Sequence, residues 1–248
     1  MSRTHQSRHR YQTKMLSKNL TIVIPCKNEE KYIASTLQSI NNQIGIQDVD
    51  VIIADGGSTD GTINSIKEIQ GNLNYNLHLI DGGSVSVGRN RGANHIQKEF
   101  ILFIDADVTF IENDVILQSY NYIKTNYDIL TCKTVSRSTS LLSKFSFFIF
   151  RNVQRYMKEC FVTGVYFMTR RDKYIEFGGF DETTKHTEDY LLSRKYKKSR
   201  MFILNRGVTQ DDRRFKKMGY LNFLRIMIKN YKNRDNIKHF REDINYWS

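Results

Sequence analysis

Short apolar runs alternate with amphipathic stretches through the first half of the chain. The apolar runs have strand length and are rich in Ile, Val and Phe, which is typical of buried strands. The predicted strands are Leu20–Pro25, Val49–Ala54, Leu77–Ile80 and Phe100–Ile104. The stretches between them carry apolar residues at helical spacing, and the predicted helices are Asn28–Asn41, a segment around Ile63–Ile69, and Val87–Ile96. Strands that alternate with helices predict βαβ units, and hence a mostly parallel sheet with helices on both faces.

The second half of the chain continues this pattern less regularly. We predict helices at Asn113–Lys124 and Thr187–Lys197, and strands at Asp128–Thr134, Phe161–Thr169 and Met201–Leu204. The run Leu141–Phe150 is unusually apolar and aromatic. Because no internal repeat and no Gly/Ser-rich linker interrupts the sequence, we expect one compact α/β domain over residues 19–212.

The charge of the 248-residue chain is concentrated at its two ends. Of the formal net charge of +12, residues 1–18 contribute +5, residues 213–241 contribute +9, and Glu242 and Asp243 contribute −2, whereas residues 19–212 are neutral. Residues 1–18 are polar, basic and without periodicity, and we predict a disordered tail there. Basic segments that flank a neutral domain indicate a polyanionic partner, either an anionic membrane surface or a nucleic acid.

The C-terminal residues 213–248 are predicted to form a basic amphipathic extension. Plotted as a helix, Tyr220–Lys232 places most of its apolar residues on one arc, with Arg225, Lys229 and Lys232 beside it. This helix can pack on the domain's own core, or it can bind an anionic membrane surface. The phenylalanines of the Leu141–Phe150 run can join such a surface, line an acceptor site, or belong to the core.

The sequence also bears on the cellular compartment. No uninterrupted apolar run approaches the roughly 18 residues of a membrane span, and the basic N-terminus lacks the apolar segment of a secretory signal. Cys26, Cys132 and Cys160 are widely spaced, odd in number and without a CxxC motif, which fits a reducing compartment. We expect a cytoplasmic protein, or one held peripherally at the cytoplasmic face of a membrane.

Two carboxylates end the most apolar strand. Asp105 and Asp107 directly follow Phe100–Ile104, and on an extended chain they project to the same side. A polar turn is one explanation, and a divalent cation with oxygen ligands is the other. Polar clusters also follow the first two strands, at Pro25–Glu29 and at Asp55–Ser58. Because ligands bind beyond the carboxyl ends of parallel strands, the clusters together predict one site.

The ordered set of motifs over about residues 20–195 resembles a family-two glycosyltransferase with the GT-A fold. The matching elements are Ile24-Pro25 with Asn28-Glu29, the turn Asp55–Thr62, the helix motif Gly88–Gly92, Asp105-Ala106-Asp107, Gly164, Gly178–Glu182 and Glu188-Asp189. The resemblance implies a Rossmann-like GT-A sheet, a UDP- or GDP-linked sugar as donor, and a hydroxyl acceptor on a glycan, a polysaccharide or a lipid-linked molecule.

The resemblance also implies roles for individual residues. Asp55 can accept a hydrogen bond from a pyrimidine, Glu29 and the backbone at Pro25 and Cys26 can hold base and ribose, and Arg89 can bind a phosphate or stack on the base. The candidate donor-binding residues are Pro25, Cys26, Asn28, Glu29, Asp55, Gly57, Ser58, Arg89, Asp105, Ala106, Gly164 and Arg214. Asp107 and Asp105 are the implied ligands of Mg²⁺ or Mn²⁺, which stabilises the leaving diphosphate.

Glu188 and Asp189 are the candidate catalytic residues. They are adjacent on a predicted helix and thus about 100° apart, so that usually only one can point into a site. A carboxylate opposite the leaving group serves as general base for the acceptor hydroxyl, and the resemblance assigns this role to Asp189, with inversion at the anomeric carbon. Alternatively, both acids only serve the helix N-terminus.

The segment Gln210–Phe215 resembles the Gln-x-x-Arg-Trp element of processive relatives imperfectly, since Phe replaces Trp and the arginine is doubled. We therefore do not expect processivity, although Arg213 or Arg214 can clamp the diphosphate. No histidine is present at 205–215 as a third metal ligand, and Asp211 or Asp212 can substitute.

Two other functions fit part of the sequence. A nucleotidyltransferase also uses an α/β nucleotide-binding fold with paired metal carboxylates, but the loop Cys26–Glu29 has no glycine with which to cradle a phosphate. A non-catalytic nucleic-acid-binding protein fits the net charge, but the basic residues lie in the terminal segments and not across the domain.

Overall fold

The structure, a computed structural model, describes residues 14–242, and for Arg214 the backbone alone. Within these residues, eight strands form one sheet in the order β3-β2-β1-β4-β7-β6-β8-β5. The strands are β1 Leu20–Cys26, β2 Asp50–Asp55, β3 Asn76–Asp81, β4 Phe100–Ile104, β5 Thr109–Phe110, β6 Ile129–Ser136, β7 Tyr166–Arg170 and β8 Met201–Gln210. The helices are α1 Ile33–Asn41, α2 Thr62–Gln70, α3 Val85–His95, α4 Val115–Asn126, α5 Leu141–Tyr156, α6 Arg171–Glu176, α7 Glu188–Ser193, α8 Arg213–Met218, α9 Tyr220–Lys232 and α10 Ile237–Arg241.

The first four strands form the predicted parallel half of the sheet. β1 pairs in parallel with β2 and β4, and β2 pairs in parallel with β3. Beyond β4, the sheet is mixed, because β7 runs antiparallel to both β4 and β6, whereas β6 and β8 are parallel. The predicted α/β architecture with a mostly parallel sheet is therefore confirmed.

Strand β4 lies in the middle of the sheet and separates two hydrophobic cores. All five of its residues are buried, and alternate side chains point to opposite faces. Phe100, Leu102 and Ile104 pack in one core, while Ile101 and Phe103 pack in the other. The covered position of β4 explains why its sequence is apolar throughout, and it places Asp105 and Asp107 at the sheet's carboxyl edge.

Several predicted boundaries differ from the structure. The Leu141–Phe150 run forms the first part of helix α5. The strand predicted at Phe161–Thr169 begins only at Tyr166, because the amides before it bond to side chains instead of a neighbouring strand. Val162 N donates to Ser193 Oγ (3.2 Å) and Gly164 N donates to Asp189 Oδ2 (2.8 Å). The loop before β7 is thereby tied to helix α7, which is shorter than predicted and ends at Ser193.

The predicted disordered tail, residues 1–18, is corrected in its last part. Residues 14–19 are helical, and Leu16 is fully buried in the core. Asn19 Nδ2 also donates to Tyr120 Oη of α4 (3.1 Å). Leu16 and the partly buried Met15 pack against the core, whereas Lys14 and Lys18 are exposed. Residues 1–13 of the predicted tail lie outside the described residues.

Helix α9 has the bounds predicted for the amphipathic helix, Tyr220–Lys232. Its Asn230 is buried and bonds to Thr187 Oγ1 (2.9 Å) and to His239 Nε2 (2.9 Å). Lys185 N donates to the carbonyl of Phe240 in α10 (2.8 Å). The C-terminal helices thus contact the segment that leads into α7, and the division at residues 212 and 213 remains a prediction. Among residues 14–242, no helix is both long and apolar enough to cross a bilayer.

Gly92 allows α3 to approach β1, and this gives a first prediction. A Cβ atom at position 92 would overlap Cγ1 of Val23, whose side chain is fully buried. We expect Gly92→Ala to lower the free energy of unfolding by about 1–3 kcal/mol, because this overlap outweighs the better helix propensity of alanine. Urea denaturation followed by circular dichroism measures the change.

Gly71→Ala is the matched control. A Cβ atom at position 71 would meet no heavy atom of the described residues within 4 Å, and Gly71 follows α2 in a right-handed conformation (φ −68°). The free energy of unfolding of this variant should stay equal or rise slightly. Equal destabilisation by the two substitutions would contradict the close approach of α3 to β1.

Candidate active site

The loops after β1 and β2 are fastened to each other. Asn28 adopts a left-handed conformation (φ 54°), and its Oδ1 accepts a hydrogen bond from Thr59 N (2.8 Å). In return, Asn28 N donates to Ser58 Oγ (2.9 Å). These two bonds bring the polar clusters predicted at neighbouring strand ends into one rim.

Asp55 organises its own turn. Its Oδ2 accepts hydrogen bonds from the amides of Gly57 (3.1 Å) and Ser58 (3.0 Å), and Gly57 takes a positive φ of 78° that suits glycine. Asp55 Oδ1 accepts from Ser58 Oγ (2.5 Å), so both carboxylate oxygens take part in shaping the loop. The contact from Asp55 to a nucleotide base stays a prediction.

Arg89 lies at the centre of a buried ionic network. Only 1% of its surface is exposed. Its Nη1 donates to Glu188 Oε1 (2.6 Å) and its Nη2 donates to Asp105 Oδ1 (2.8 Å). Burial by itself lowers the pKa of Arg89, but the charges of Asp105, Glu188 and Asp189 outweigh it and raise the pKa, so the guanidinium is charged.

Two residues whose roles the resemblance implies take part in this network. Arg89, the predicted phosphate or base ligand, bonds to carboxylates through both of its terminal nitrogens. Glu188, a candidate catalytic residue, is buried and ion-paired with Arg89. Both roles stay predictions. The guanidinium thus joins the strand that ends in Asp105 to the helix that begins with Glu188.

Asp189 is the neighbour of Glu188. Unlike Glu188, it has no cationic partner at hydrogen-bond distance among the described residues. Its Oδ2 accepts from Gly164 N (2.8 Å) and its Oδ1 accepts from its neighbour Tyr190 N (2.7 Å). Burial, followed by the charge of Glu188, raises the pKa of Asp189 to about 6, while Arg89 acts in the opposite direction. A fixed carboxylate with a pKa near neutrality is suited to general base catalysis.

Gly164 serves this arrangement twice. Its amide orients Asp189, and a Cβ atom at this position would overlap the Arg89 guanidinium. The predicted site residue is therefore at the site, and its contribution comes from its backbone and its lack of a side chain.

Asp107 faces a different set of partners. Its Oδ1 accepts from Gln210 Nε2 (3.3 Å) and its Oδ2 lies 3.4 Å from Arg213 Nη2. Its carbonyl accepts from Arg137 Nη2 (2.9 Å). The buried Ala106 between the two aspartates is held by its carbonyl, which accepts from Thr36 Oγ1 (2.7 Å).

Arg213 bridges Asp107 to the first loop. Its Nη2 also bonds to Glu29 Oε1, and its guanidinium lies 4.7 Å from the centre of the Tyr32 ring. The other oxygen of Glu29, Oε2, is buried and has no hydrogen-bond partner within the described part of the chain. Burial raises the pKa of Glu29, although Arg213 opposes this effect. This oxygen can accept a hydrogen bond from a water molecule or from a polar ligand.

A cleft collects most of these groups. Its lining consists of Arg89, Asp105, Asp107, Phe150, Thr163, Gly164, Val165, Thr187, Glu188, Asp189, Gln210, Asp211, Arg213, Phe215 and Phe223. The predicted residues Pro25, Cys26, Asn28, Asp55, Gly57 and Ser58 do not line it, because they lie at the ends of β1 and β2. Burial raises the pKa of the Cys26 thiol, which is therefore neutral.

The carboxylates fit a metal ion that arrives with a diphosphate. Residues 14–242 contain no group of three or more His, Cys, Asp or Glu side chains that could hold a metal ion. Asp212, a suggested third ligand, is instead buried and bonded to Lys216 Nζ (2.7 Å) and Tyr220 Oη (3.0 Å). Mg²⁺ is commonly held by one or two carboxylates together with substrate phosphates, and Asp107 and Asp105 offer that chemistry.

Some residues at the site could not be identified from the sequence. Arg137 and Tyr32 carry no motif that reveals them. The side chain of Arg214, the predicted diphosphate ligand, lies outside the described part, so that role stays a prediction; Arg213 lines the cleft. The sequence does not show which of the two adjacent arginines, 213 or 214, points toward the cleft, because neighbouring helical residues point in different directions.

The profile of Glycosyl transferase family 2 matches residues 21–178 of the chain. A curated relative, the 4,4'-diaponeurosporenoate glycosyltransferase of Staphylococcus aureus (strain N315), is 36% identical over 120 residues. These cover 44% of this chain and 30% of the relative. The chain thus matches less than a third of the length of such relatives.

Two solved structures have a similar fold. S. aureus TarS 1–349 in complex with UDP has a TM-score of 0.58 at 20% identity, over 78% of this chain and 61% of that 1–349 chain. The mannosyltransferase PcManGT from Pyrobaculum calidifontis, in complex with GDP-Man and Mn²⁺, has a TM-score of 0.60 at 16% identity, over 83% of this chain and 66% of its own. With the family match covering more than half of the sequence, the chain belongs to glycosyl transferase family 2 and has the GT-A fold.

Proposed function

We propose that this chain is an inverting glycosyltransferase that moves a sugar from a UDP- or GDP-linked donor to an acceptor hydroxyl. The observation that carries this proposal is Asp189, a fixed carboxylate whose pKa is raised to about 6. It lines the same cleft as the paired aspartates Asp105 and Asp107. One cleft thus offers a base for the acceptor and oxygen ligands for the leaving group's counter-ion.

Asp189 acts as the general base. It takes the proton of the acceptor hydroxyl while that oxygen forms a bond to the anomeric carbon of the donor. The bond from that carbon to the diphosphate oxygen breaks at the same time, and the nucleoside diphosphate leaves with the electron pair. The amides of Gly164 and Tyr190 hold the carboxylate in place, so little ordering is needed when the acceptor arrives.

Arg89 is a positioning residue. It fixes Asp105 and Glu188 on the two sides of the cleft. Its charge also limits the rise in the pKa of Asp189. Without that cation, three carboxylates would share a buried volume, and Asp189 would be protonated at neutral pH.

The donor binds beside Asp107 and Glu29. When the donor binds, Arg213 releases Asp107 and Glu29, and its guanidinium binds the diphosphate. Glu29 Oε2 then accepts a hydrogen bond from a ribose hydroxyl. A Mg²⁺ or Mn²⁺ ion held by Asp107 and Asp105 would supply charge neutralisation of the diphosphate. The complexes of the similar-fold proteins with UDP, and with GDP-Man and Mn²⁺, support this choice of donor and ion.

A reducing compartment, and hence the cytoplasm, is proposed for the protein. Cys26, Cys132 and Cys160 are all buried as free thiols. Burial raises the pKa of each of them, which keeps them neutral and unreactive.

Donor binding is tested first, with UDP, GDP and their sugar derivatives in a thermal-shift assay. We expect one nucleotide class to raise the melting temperature, and to do so more with Mn²⁺ than with a chelator. At a ligand concentration about 100 times Kd, the stabilisation is about 2.7 kcal/mol. Asp107→Ala should lose the metal-dependent part of the shift, whereas Asp172→Ala, at an exposed position on α6, should keep it. Equal shifts with metal and with chelator in wild-type protein would contradict the metal role of Asp107.

Asp189→Asn tests the base. The substitution keeps the size of the side chain and one of its two bonds from the amides of Gly164 and Tyr190, because Asn has one acceptor oxygen. It removes proton acceptance, so we expect transfer to fall about 10²- to 10⁴-fold. The thermal shift by the donor should persist. Turnover is measured as the release of nucleotide from the nucleotide sugar that raises the melting temperature in the thermal-shift assay. Asp172→Asn is the matched control. Full activity of Asp189→Asn would overturn the assignment.

The pH profile tests the raised pKa. The base must be ionised, so kcat/KM should be constant above about pH 7, fall to about half near pH 6, and approach a tenfold loss per unit below about pH 5 as Asp189 is protonated. An ordinary aspartate, with a pKa of about 3.9, would keep full activity to about pH 5. The residual activity of Asp189→Asn should lack this acid limb. Circular dichroism over the same range separates titration from unfolding, and a wild-type limb near pH 4 would refute the raised pKa.

A further inference from the structure

Helices α5 and α9 expose a large apolar surface. In α5, most of the large apolar side chains point outward, and Leu141 is 83% exposed. In α9, Leu221 is 74% exposed. We call this surface the α5–α9 face, and it consists of Leu141, Leu142, Phe145, Phe148, Ile149, Tyr156, Leu221, Leu224, Ile228 and Tyr231. Exposed apolar surfaces of this extent mark a binding partner.

The opposite sides of the same helices are anchored to the domain through aromatic rings. Phe147 of α5 lies 5.0 Å from Phe215 of α8, measured between ring centres, and Phe215 lies 4.4 Å from Phe223 of α9. Phe150 and Phe223 are 6.3 Å apart. The apolar arc of α9 is therefore divided, because Phe223 faces the domain while Leu224 and Ile228 remain exposed.

The charges around the α5–α9 face have one sign. Residues 137–158 contain five Lys or Arg and no acid, and residues 213–234 contain eight and no acid. Lys144 and Arg155 on α5 are exposed, as are Arg225, Lys229 and Lys232 on α9. Apolar side chains bordered by cations match the boundary between acyl chains and anionic headgroups.

The chemistry of the α5–α9 face distinguishes between partners. A nucleic acid would meet the cations, but it has no apolar phase for Leu141, Leu142 and Leu221. A second copy of the chain would cover the apolar residues, but a twofold contact would oppose the cations of one copy to those of the other. A lipid bilayer with anionic headgroups satisfies both features together.

We propose that the α5–α9 face docks on an anionic bilayer. This goes beyond the transfer reaction, because binding requires neither donor nor base. The phenyl rings of Phe150, Phe215 and Phe223 line the cleft of Asp189 on the inner side of these helices. Docking therefore brings the cleft next to the lipid headgroups, and a hydroxyl carried by a lipid in the same bilayer is the acceptor within reach. This last step rests on the proposed function, whereas docking does not.

Sedimentation with vesicles tests the docking of the full chain. Wild-type protein should bind phosphatidylcholine vesicles that contain phosphatidylglycerol and bind pure phosphatidylcholine at least about tenfold more weakly, with affinity falling as salt is added. Phe145→Glu combined with Leu224→Glu should lower the partition coefficient at least about tenfold, and so should Arg225→Glu combined with Lys229→Glu.

Matched substitutions elsewhere on the surface serve as controls. Ile175→Glu, at a residue that is 61% exposed on α6, and Lys67→Glu combined with Lys197→Glu should bind vesicles as wild type does. Asp189→Asn should also bind normally, so a failure of the transferase assignment leaves this test intact. Equal melting temperatures confirm that the variants are folded.

Three outcomes would overturn the proposal. The first is wild-type binding that is absent, or equal for the two vesicle compositions. The second is an equal loss of binding in the controls. The third is a dimer in light scattering, or an RNA gel shift, that the substitutions on the α5–α9 face abolish while vesicle binding is unchanged.

Discussion

The site depends on one buried cation, the guanidinium of Arg89. It neutralises carboxylates that the fold brings together from two distant parts of the chain, Asp105 after β4 and Glu188 at the start of α7. Burying those acids without it would be costly, since an unpaired buried charge destabilises a protein strongly. The same charge opposes the rise that desolvation causes in the pKa of Asp189, which is about 6. Fold stability and the ionisation of the proposed base are therefore set by the same side chain, and Gly164 is small because the guanidinium lies against it.

A second cation, Arg213, neutralises carboxylates at another part of the cleft. Arg213 contacts Asp107 and Glu29 from the first residue of α8, so the paired carboxylates are neutralised before any donor is bound. Arg213 differs from Arg89 in being partly exposed, and its contacts can exchange for those of a diphosphate. The cleft thus combines one buried ion network around Arg89 with a second, more exposed one around Arg213.

The cleft and the α5–α9 face share the same helices. Phe150 and Phe223 line the cleft, and the residues next to them on α5 and α9 are exposed and apolar. Helix α8 carries Arg213 into the donor side and is joined to α9 by Gly219, whose φ is 77°. A change in the position of α9 is therefore connected by a short and continuous path to the cation beside Asp107.

The sequence by itself determined the order of the elements and the edge at which the site forms. Strand β4 could be predicted with its bounds because it is apolar on both faces, and the bounds of α9 followed from its amphipathic period. The acids at the strand ends, Gly164 and Glu188-Asp189 were identifiable because short motifs in a fixed order carry them. Tertiary structure decided which partners these groups have. Arg89 bonds to two carboxylates from distant parts of the chain, and Arg213 contacts Asp107 and Glu29. Residues 14–19 are helical, with Leu16 buried in the core. In each case, the deciding interaction joins residues far apart in the chain, and a local pattern of polarity contains no information about which distant charge or cavity a side chain will meet.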